Sequence, residues 1–391
     1  MGTILSYLEE YGDCPLTDMP FNDVDSLVLC QLSYLKFDGI VPDVWSNQPA
    51  IALEDIAVHA NYEDLFADVR FEEENRTLFE NMVLGRRFRQ IKLAEYINLV
   101  EKEGETQFSA VTIFLGDGNI YIAFRGTDET IVGWKEDFNM AYIHPIPSQA
   151  YSVKYLNMVA GKLNNPLIVG GHSKGGNLAM YSAMNCTPSI REQIRKIYSM
   201  DGPGFRPEVL VKCNYPQIAD KVIKILPRSS LIGMIFEHDI LYEVVESTRL
   251  GLAQHDPYTW EVEGRHFVKV QDVNELQKFT NGTVNEWILT LNEEQLRTFV
   301  DTLYDVISAS ETDDLIELAA DWKKSLNGIV NAAREVDDET RQMIKETLGM
   351  LFRIAGFRVK EEVEEFASEF FMNVQRKSMK SEETEGWIRL S

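Results

Sequence analysis

The sequence predicts an α/β protein, with a mostly parallel sheet covered by helices on both faces and an all-helical region after it. Three observations carry that expectation. Short apolar runs alternate with stretches of helical spacing between about residues 108 and 226. Within them, Pro166-Leu-Ile-Val-Gly-Gly-His-Ser-Lys-Gly-Gly-Asn-Leu-Ala179 reads as a buried strand, a glycine turn with a serine at its apex, and an amphipathic helix. Beyond about residue 285 only helical spacing remains, so two regions are expected, 1–284 and 285–391.

The elements follow in order. Residues 21–40 place apolar side chains at Leu27, Cys30, Leu32 and Leu35, a helix with its cap near Asp23 or Asp25. Helical spacing recurs over about 76–101. A hairpin comes next: Ser109-Ala-Val-Thr-Ile-Phe-Leu115, a Gly-Asp-Gly-Asn turn, then Ile120-Tyr-Ile-Ala-Phe124. After Arg125-Gly126-Thr127 lie a helix around 148–163 and the serine strand with its helix, marked by Leu178, Ala179, Ala183 and Met184. Strands at 197–200 and 221–226 complete the alternation, and 260–270 reads as a terminal hairpin. In the tail, Asn292-Glu-Glu-Gln295 forms a capping box ahead of Leu296, Phe299, Val300, Leu303 and Ile307, an apolar stripe expected to be core rather than a partner surface.

A chain of 391 residues, 45% hydrophobic and 26% charged, is long enough for a large core and an accessory region. Its 38 basic against 62 acidic residues give a net charge of −24, which repels phosphate backbones and anionic lipid surfaces. Nucleic acid is therefore excluded as a partner. No run approaches the roughly 18 apolar residues of a membrane-spanning helix, and the opening Met1-Gly-Thr-Ile-Leu has no basic leader, so a cytoplasmic protein is expected. Cys14, Cys30, Cys186 and Cys213 lack metal-ligand or Cys-x-x-Cys spacing and are expected as free thiols. Neither a metal nor an organic cofactor is implied.

Gly171-His172-Ser173-Lys174-Gly175 points to Ser173 as a nucleophile. A serine on so tight a turn sits in a strained backbone conformation, and side chains two residues either side of it would collide. Glycines stand at both places. Gly170-Gly-His-Ser-Lys-Gly-Gly lacks the Gly-Lys-Ser/Thr order that sets a lysine on phosphates, which excludes a nucleotide loop.

A second motif carries a resemblance. Ile120-Tyr-Ile-Ala-Phe-Arg-Gly-Thr127, then Trp134 and Asp137, then the Gly-His-Ser-x-Gly-Gly turn resemble the class 3 (fungal-type) lipases, and more closely a bacterial branch of the α/β-hydrolase superfamily. The resemblance covers roughly residues 21–270. It implies an α/β-hydrolase fold with the helical appendage outside it, and oxyanion-hole donors at Thr127 and at the backbone N–H of Lys174. Preorganised donors at a developing oxyanion contribute about 3 kcal/mol each. The Lys174 side chain departs from the apolar residue usual in those lipases and is expected at the surface of a helix N-terminus rather than in substrate recognition. Arg125 and Asp137 are expected to pair and hold the oxyanion loop, and Trp134 to pack.

A serine hydroxyl needs an imidazole to take its proton and a carboxylate to fix the imidazole's tautomer. The chain order in this fold is Ser, acid, His. His238, His255 and His266 follow Ser173 in the sheet region. His255, in the polar loop Gln254-His-Asp-Pro257, is preferred as the base, with His238 second and His266 assigned to the terminal hairpin. The resemblance places the acid in an Asp-Pro pattern after the strand at 221–226, where this chain has Pro227-Arg-Ser-Ser230. Asp201, at the end of the preceding strand, and Asp239 are the substitutes, with Asp201 slightly preferred. Asp256 is expected to shape the turn with Pro257.

These residues suggest a serine hydrolase acting on small-molecule or lipid carboxylic esters through an acyl-enzyme. A thioesterase, acyltransferase or peptidase would use the same parts. The alternative of another class is a hydrolase-like scaffold that has lost its acid and binds partners through the helical tail. The apolar stretch Leu231-Ile-Gly-Met-Ile-Phe236 reads equally as an acyl pocket wall or as core.

Overall fold

The computed structural model describes residues 2–271 apart from Asp68, 102–105, 128–135, 137–138, 141–142, Leu231, 237–239 and Leu250. The region expected to be all-helical, 285–391, lies outside the described residues, as do Trp134, Asp137, His238 and Asp239.

Nine strands form one sheet in the order β1-β2-β3-β4-β5-β6-β7-β8-β11. They are β1 (Ile51–Ala52), β2 (Lys92–Glu101), β3 (Thr106–Phe114), β4 (Ile120–Phe124), β5 (Leu167–His172), β6 (Ile194–Met200), β7 (Val222–Pro227), β8 (Tyr242–Val245) and β11 (Lys269–Val270). A separate hairpin pairs β9 (Val262–Glu263) with β10 (His266–Phe267). Neighbours from β4 to β8 run parallel, whereas the pairs β1/β2, β2/β3, β3/β4 and β8/β11 are antiparallel. The sheet is thus mixed rather than mostly parallel. The difference comes from β2, which extends the β3/β4 hairpin outward, and from β11, which returns along β8.

Both faces of the sheet are covered. On β4, Tyr121 and Ala123 point into one apolar cluster while Ile120, Ile122 and Phe124 point into another, the period of two that a strand imposes. The first cluster is closed by α1 (Ile4–Tyr11), α2 (Asp23–Leu32) and α4 (Glu72–Leu84), with the short α3 (Leu53–Ile56) beside them. The second is closed by α5 (Pro147–Ala160) and α6 (Lys174–Asn185), through Tyr155, Leu156, Val159, Leu178, Ala179 and Met184 among others. The helix in 21–40 is capped one residue earlier than expected. Asn22 accepts from the N–H groups of Val24 and Asp25, and the Asp25 carboxylate accepts from Asn22 N–H, a reciprocal box.

The helical spacing over 76–101 covers two different elements, since α4 ends at Leu84 and β2 begins at Lys92. The register of β2 against β3 shifts between Ala94 and Ile97, with Glu95 at φ 54°. This bulge sends Leu93 and Tyr96 to one face and Ile97 to the other. Apolar residues at 93, 96, 97 and 100 therefore mimic a helix while building a strand. No helix among the described residues is long and apolar enough to cross a membrane.

Candidate active site

The turn between β5 and α6 is built by close approach. Ser173 sits at φ 58°, ψ −133°, a sparsely populated conformation for a residue with a side chain, which costs about 1–3 kcal/mol. Its N–H donates to Met200 O on the neighbouring strand at 2.9 Å, which pins the turn to the sheet. A Cβ on Gly175 would overlap the carbonyl oxygen of Phe124, the last residue of β4, and one on Gly171 would overlap the backbone of Gly175. The glycines flanking the serine are thus required by backbone contact, and Ser173 is left half-buried rather than enclosed.

Asp201 follows β6 directly and is fully buried. Its N–H donates to Ile225 O on β7 at 2.8 Å. The carboxylate is filled by three donors: His255 Nδ1 at 2.6 Å on Oδ2, Gly233 N–H at 3.2 Å on Oδ1, and the Ser230 hydroxyl, also on Oδ1. A carboxylate only accepts, so His255 Nδ1 carries a proton, and in the neutral ring it is Nε2 that offers a lone pair. Ser230 and Gly233 come from the loop after β7, the place where the sequence lacks the expected Asp-Pro pattern. In this chain that loop supplies donors to a carboxylate on the preceding strand. Asp256 instead accepts from Tyr258 N–H at 2.9 Å, the turn role expected of it, and His266 is exposed in the β9/β10 hairpin.

His172 joins the serine turn to the His255 loop. Its Nε2 is 2.9 Å from His255 O and its ring centroid is 4.6 Å from that of His255. Its Nδ1 is 3.2 Å from the Tyr34 hydroxyl. Burial, together with the nearby His255 ring, holds the His172 imidazole well below its ordinary pKa of 6.5.

A family model described as Mbeg1-like matches residues 82–305. The chain belongs to the Mbeg1-like family. No curated protein matches the sequence. Among solved structures, the Rhizomucor miehei lipase propeptide complex shares 15% identity over 41% of this chain and 58% of that one, with a TM-score of 0.31. Lip2 lipase from Yarrowia lipolytica shares 14% over 41% of this chain and 67% of that one, with a TM-score of 0.29. Likeness at these scores carries no weight on fold or activity.

Within this Mbeg1-like chain, the oxyanion candidates lie where β4 and β5 end. Thr127 is half-buried, two residues beyond Arg125, and Lys174 opens α6. The expectation of a surface lysine is corrected: the Lys174 side chain is buried, its ammonium 2.9 Å from Glu136 Oε2 and 3.3 Å from Gln107 Oε1. Glu136 is itself fully buried and accepts from the N–H groups of Gln107 and Ser148 at 3.1 and 2.9 Å. One carboxylate therefore links β3, the start of α5 and the residue after Ser173. Arg125 is buried and donates to Asn98 Oδ1 at 2.9 Å. Within the stretch at 231–236, Ile232–Met234 form a 3-10 turn with Gly233 and Met234 buried.

Sequence reasoning missed Glu136, His172, Tyr34 and Ser230 as members of the site. Only His172 had a signal, its place beside Ser173. The other three reach the site from remote positions that no local pattern connects.

Proposed function

We propose that the protein is a serine hydrolase cleaving small-molecule or lipid carboxylic esters, on a sheet of α/β-hydrolase type. Ser173 is the nucleophile, His255 the general base, Asp201 the residue that orients it, and the backbone N–H groups of Thr127 and Lys174 the oxyanion donors. The observation that carries the reading is the 2.6 Å contact of His255 Nδ1 with the buried Asp201 carboxylate, one strand over from the strained serine turn.

Ser173 Oγ attacks the ester carbonyl carbon and its proton passes to His255 Nε2. The imidazolium is stabilised by Asp201 while the carbonyl oxygen, now negative, is held by the two N–H groups. Collapse expels the alcohol with the proton from His255. Water then repeats the sequence on the acyl-enzyme, releasing the acid and regenerating the serine. The contact between Asp201 and His255 also favours catalysis over the binding-scaffold alternative, whose support was a missing acid. Cys30, Cys186 and Cys213, present as buried free thiols, support a reducing, cytoplasmic setting.

The test is hydrolysis of p-nitrophenyl esters of graded acyl length, beside an acyl-CoA and a peptide substrate. Turnover of the esters that disappears in Ser173→Ala supports the reading. Parental turnover in Ser173→Ala overturns it, and preference for the thioester or peptide moves the protein to another acyl-transfer class.

A further inference from the structure

We propose that His172 and Tyr34 are positioning residues that hold the main chain of the His255 loop in place beside Ser173. The inference rests on the hydrolase reading above and deepens it. The fixed proton positions come from one fact: a carbonyl oxygen only accepts. The His255 carbonyl, 2.9 Å from His172 Nε2, therefore requires the hydrogen on Nε2, and the neutral ring then offers Nδ1 as an acceptor. The Tyr34 hydroxyl, 3.2 Å away, donates to it and also lies 3.5 Å from His172 O.

The same hydroxyl stands at the crossing of the oxyanion strand and the serine turn. A Cβ added at Gly126 would overlap Tyr34 Oη and lie 3.1 Å from Ser173 Cβ. Tyr34, Gly126, His172 and Ser173 thus meet at one junction. His255 is consequently held twice, by its ring through Asp201 and by its carbonyl through His172. The residue preceding the nucleophile anchors the loop that carries the base, so turn and base keep a common frame. Small misplacements of a base cost large factors in rate, which is why such a tie matters. His172 also remains uncharged, because burial disfavours its protonated form. A charged ring 4.6 Å from His255 would oppose the imidazolium that forms during acyl transfer.

The experiment uses the full chain, with a fluorophosphonate probe to count reactive sites and p-nitrophenyl butyrate to measure turnover per labelled site. His172→Phe is expected to lower kcat per labelled site by about 10- to 100-fold with KM within about twofold. His172→Gln, whose amide can place an N–H near the Nε2 position, is expected to recover most of that loss, and Tyr34→Phe to lose about three- to tenfold. A purely structural role would reduce the labelled fraction and leave turnover per site unchanged. Parental turnover per labelled site in both His172→Phe and Tyr34→Phe, or a His172→Gln as impaired as His172→Phe, overturns the inference alone. A parent chain that does not label at Ser173 overturns the hydrolase reading and this inference with it. If His172→Phe does not fold, Tyr34→Phe decides.

Discussion

Asp201 and Ser230 form a hydrogen bond across the ends of two adjacent strands, the serine hydroxyl donating to the carboxylate oxygen that does not face His255. Ser230 stands in the loop where the lipase pattern would have supplied an acid. The loop instead donates to the carboxylate of Asp201, which directly follows β6.

Changing Asp201 to Asn removes the charge that stabilises the imidazolium and permits the wrong tautomer of His255. Ester turnover should fall by about a thousandfold or more, with the chain still folded. Ser230→Ala leaves Asp201 Oδ1 with the Gly233 N–H, and loss of one hydrogen bond to a charged group should lower kcat roughly tenfold. Steady-state kinetics on both variants, with circular dichroism to confirm folding, measures this. An Asp201→Asn variant with parental kcat would remove Asp201 from the mechanism.

Lys174 and Glu136 should show strong coupling. Removing one partner of a buried pair leaves the other charge unmet, so Lys174→Met should destabilise by about 3–5 kcal/mol. In Lys174→Met/Glu136→Gln the neutral amide can still accept from a backbone N–H, and part of the loss should return. Urea unfolding of the two single variants and the double one gives the coupling energy, and simple additivity would contradict it.

Stability should also depend on His172 in acid. The unfolded ring takes a proton as pH falls through 6.5, whereas the folded ring, held well below that value, does not. The unfolded state then binds more protons, so stability is full above pH 6.5 and declines below it, by up to about 1.4 kcal/mol per pH unit for this one group. Melting curves from pH 8 to pH 5 should show a shallower acid decline for His172→Gln than for the parent. Identical slopes would mean that His172 gains its proton in the folded chain as readily as in the unfolded one.

The elements legible in the sequence are those whose cause is local. The serine turn was readable because its glycines, strand and helix lie within about twenty residues, and the β3/β4 hairpin because its turn carries its own chemistry. β2 was not, because a bulge at Glu95 breaks the alternation that identifies a strand. Lys174 looked like a surface residue because its partner, Glu136, lies on a segment that nothing in the pattern ties to α6. Tyr34 meets His172 across 138 positions, a distance only the fold closes. The choice between Asp201 and Asp239 needs topology beyond periodicity; Asp201 stands against His255, and Asp239 lies outside the described residues.

The most direct measurement is peptide mapping of the full chain after reaction with a fluorophosphonate. The account predicts one adduct, on Ser173, abolished in Ser173→Ala and slowed at least a hundredfold in His255→Ala. A chain that stays unmodified, or one labelled equally fast without His255, would contradict it.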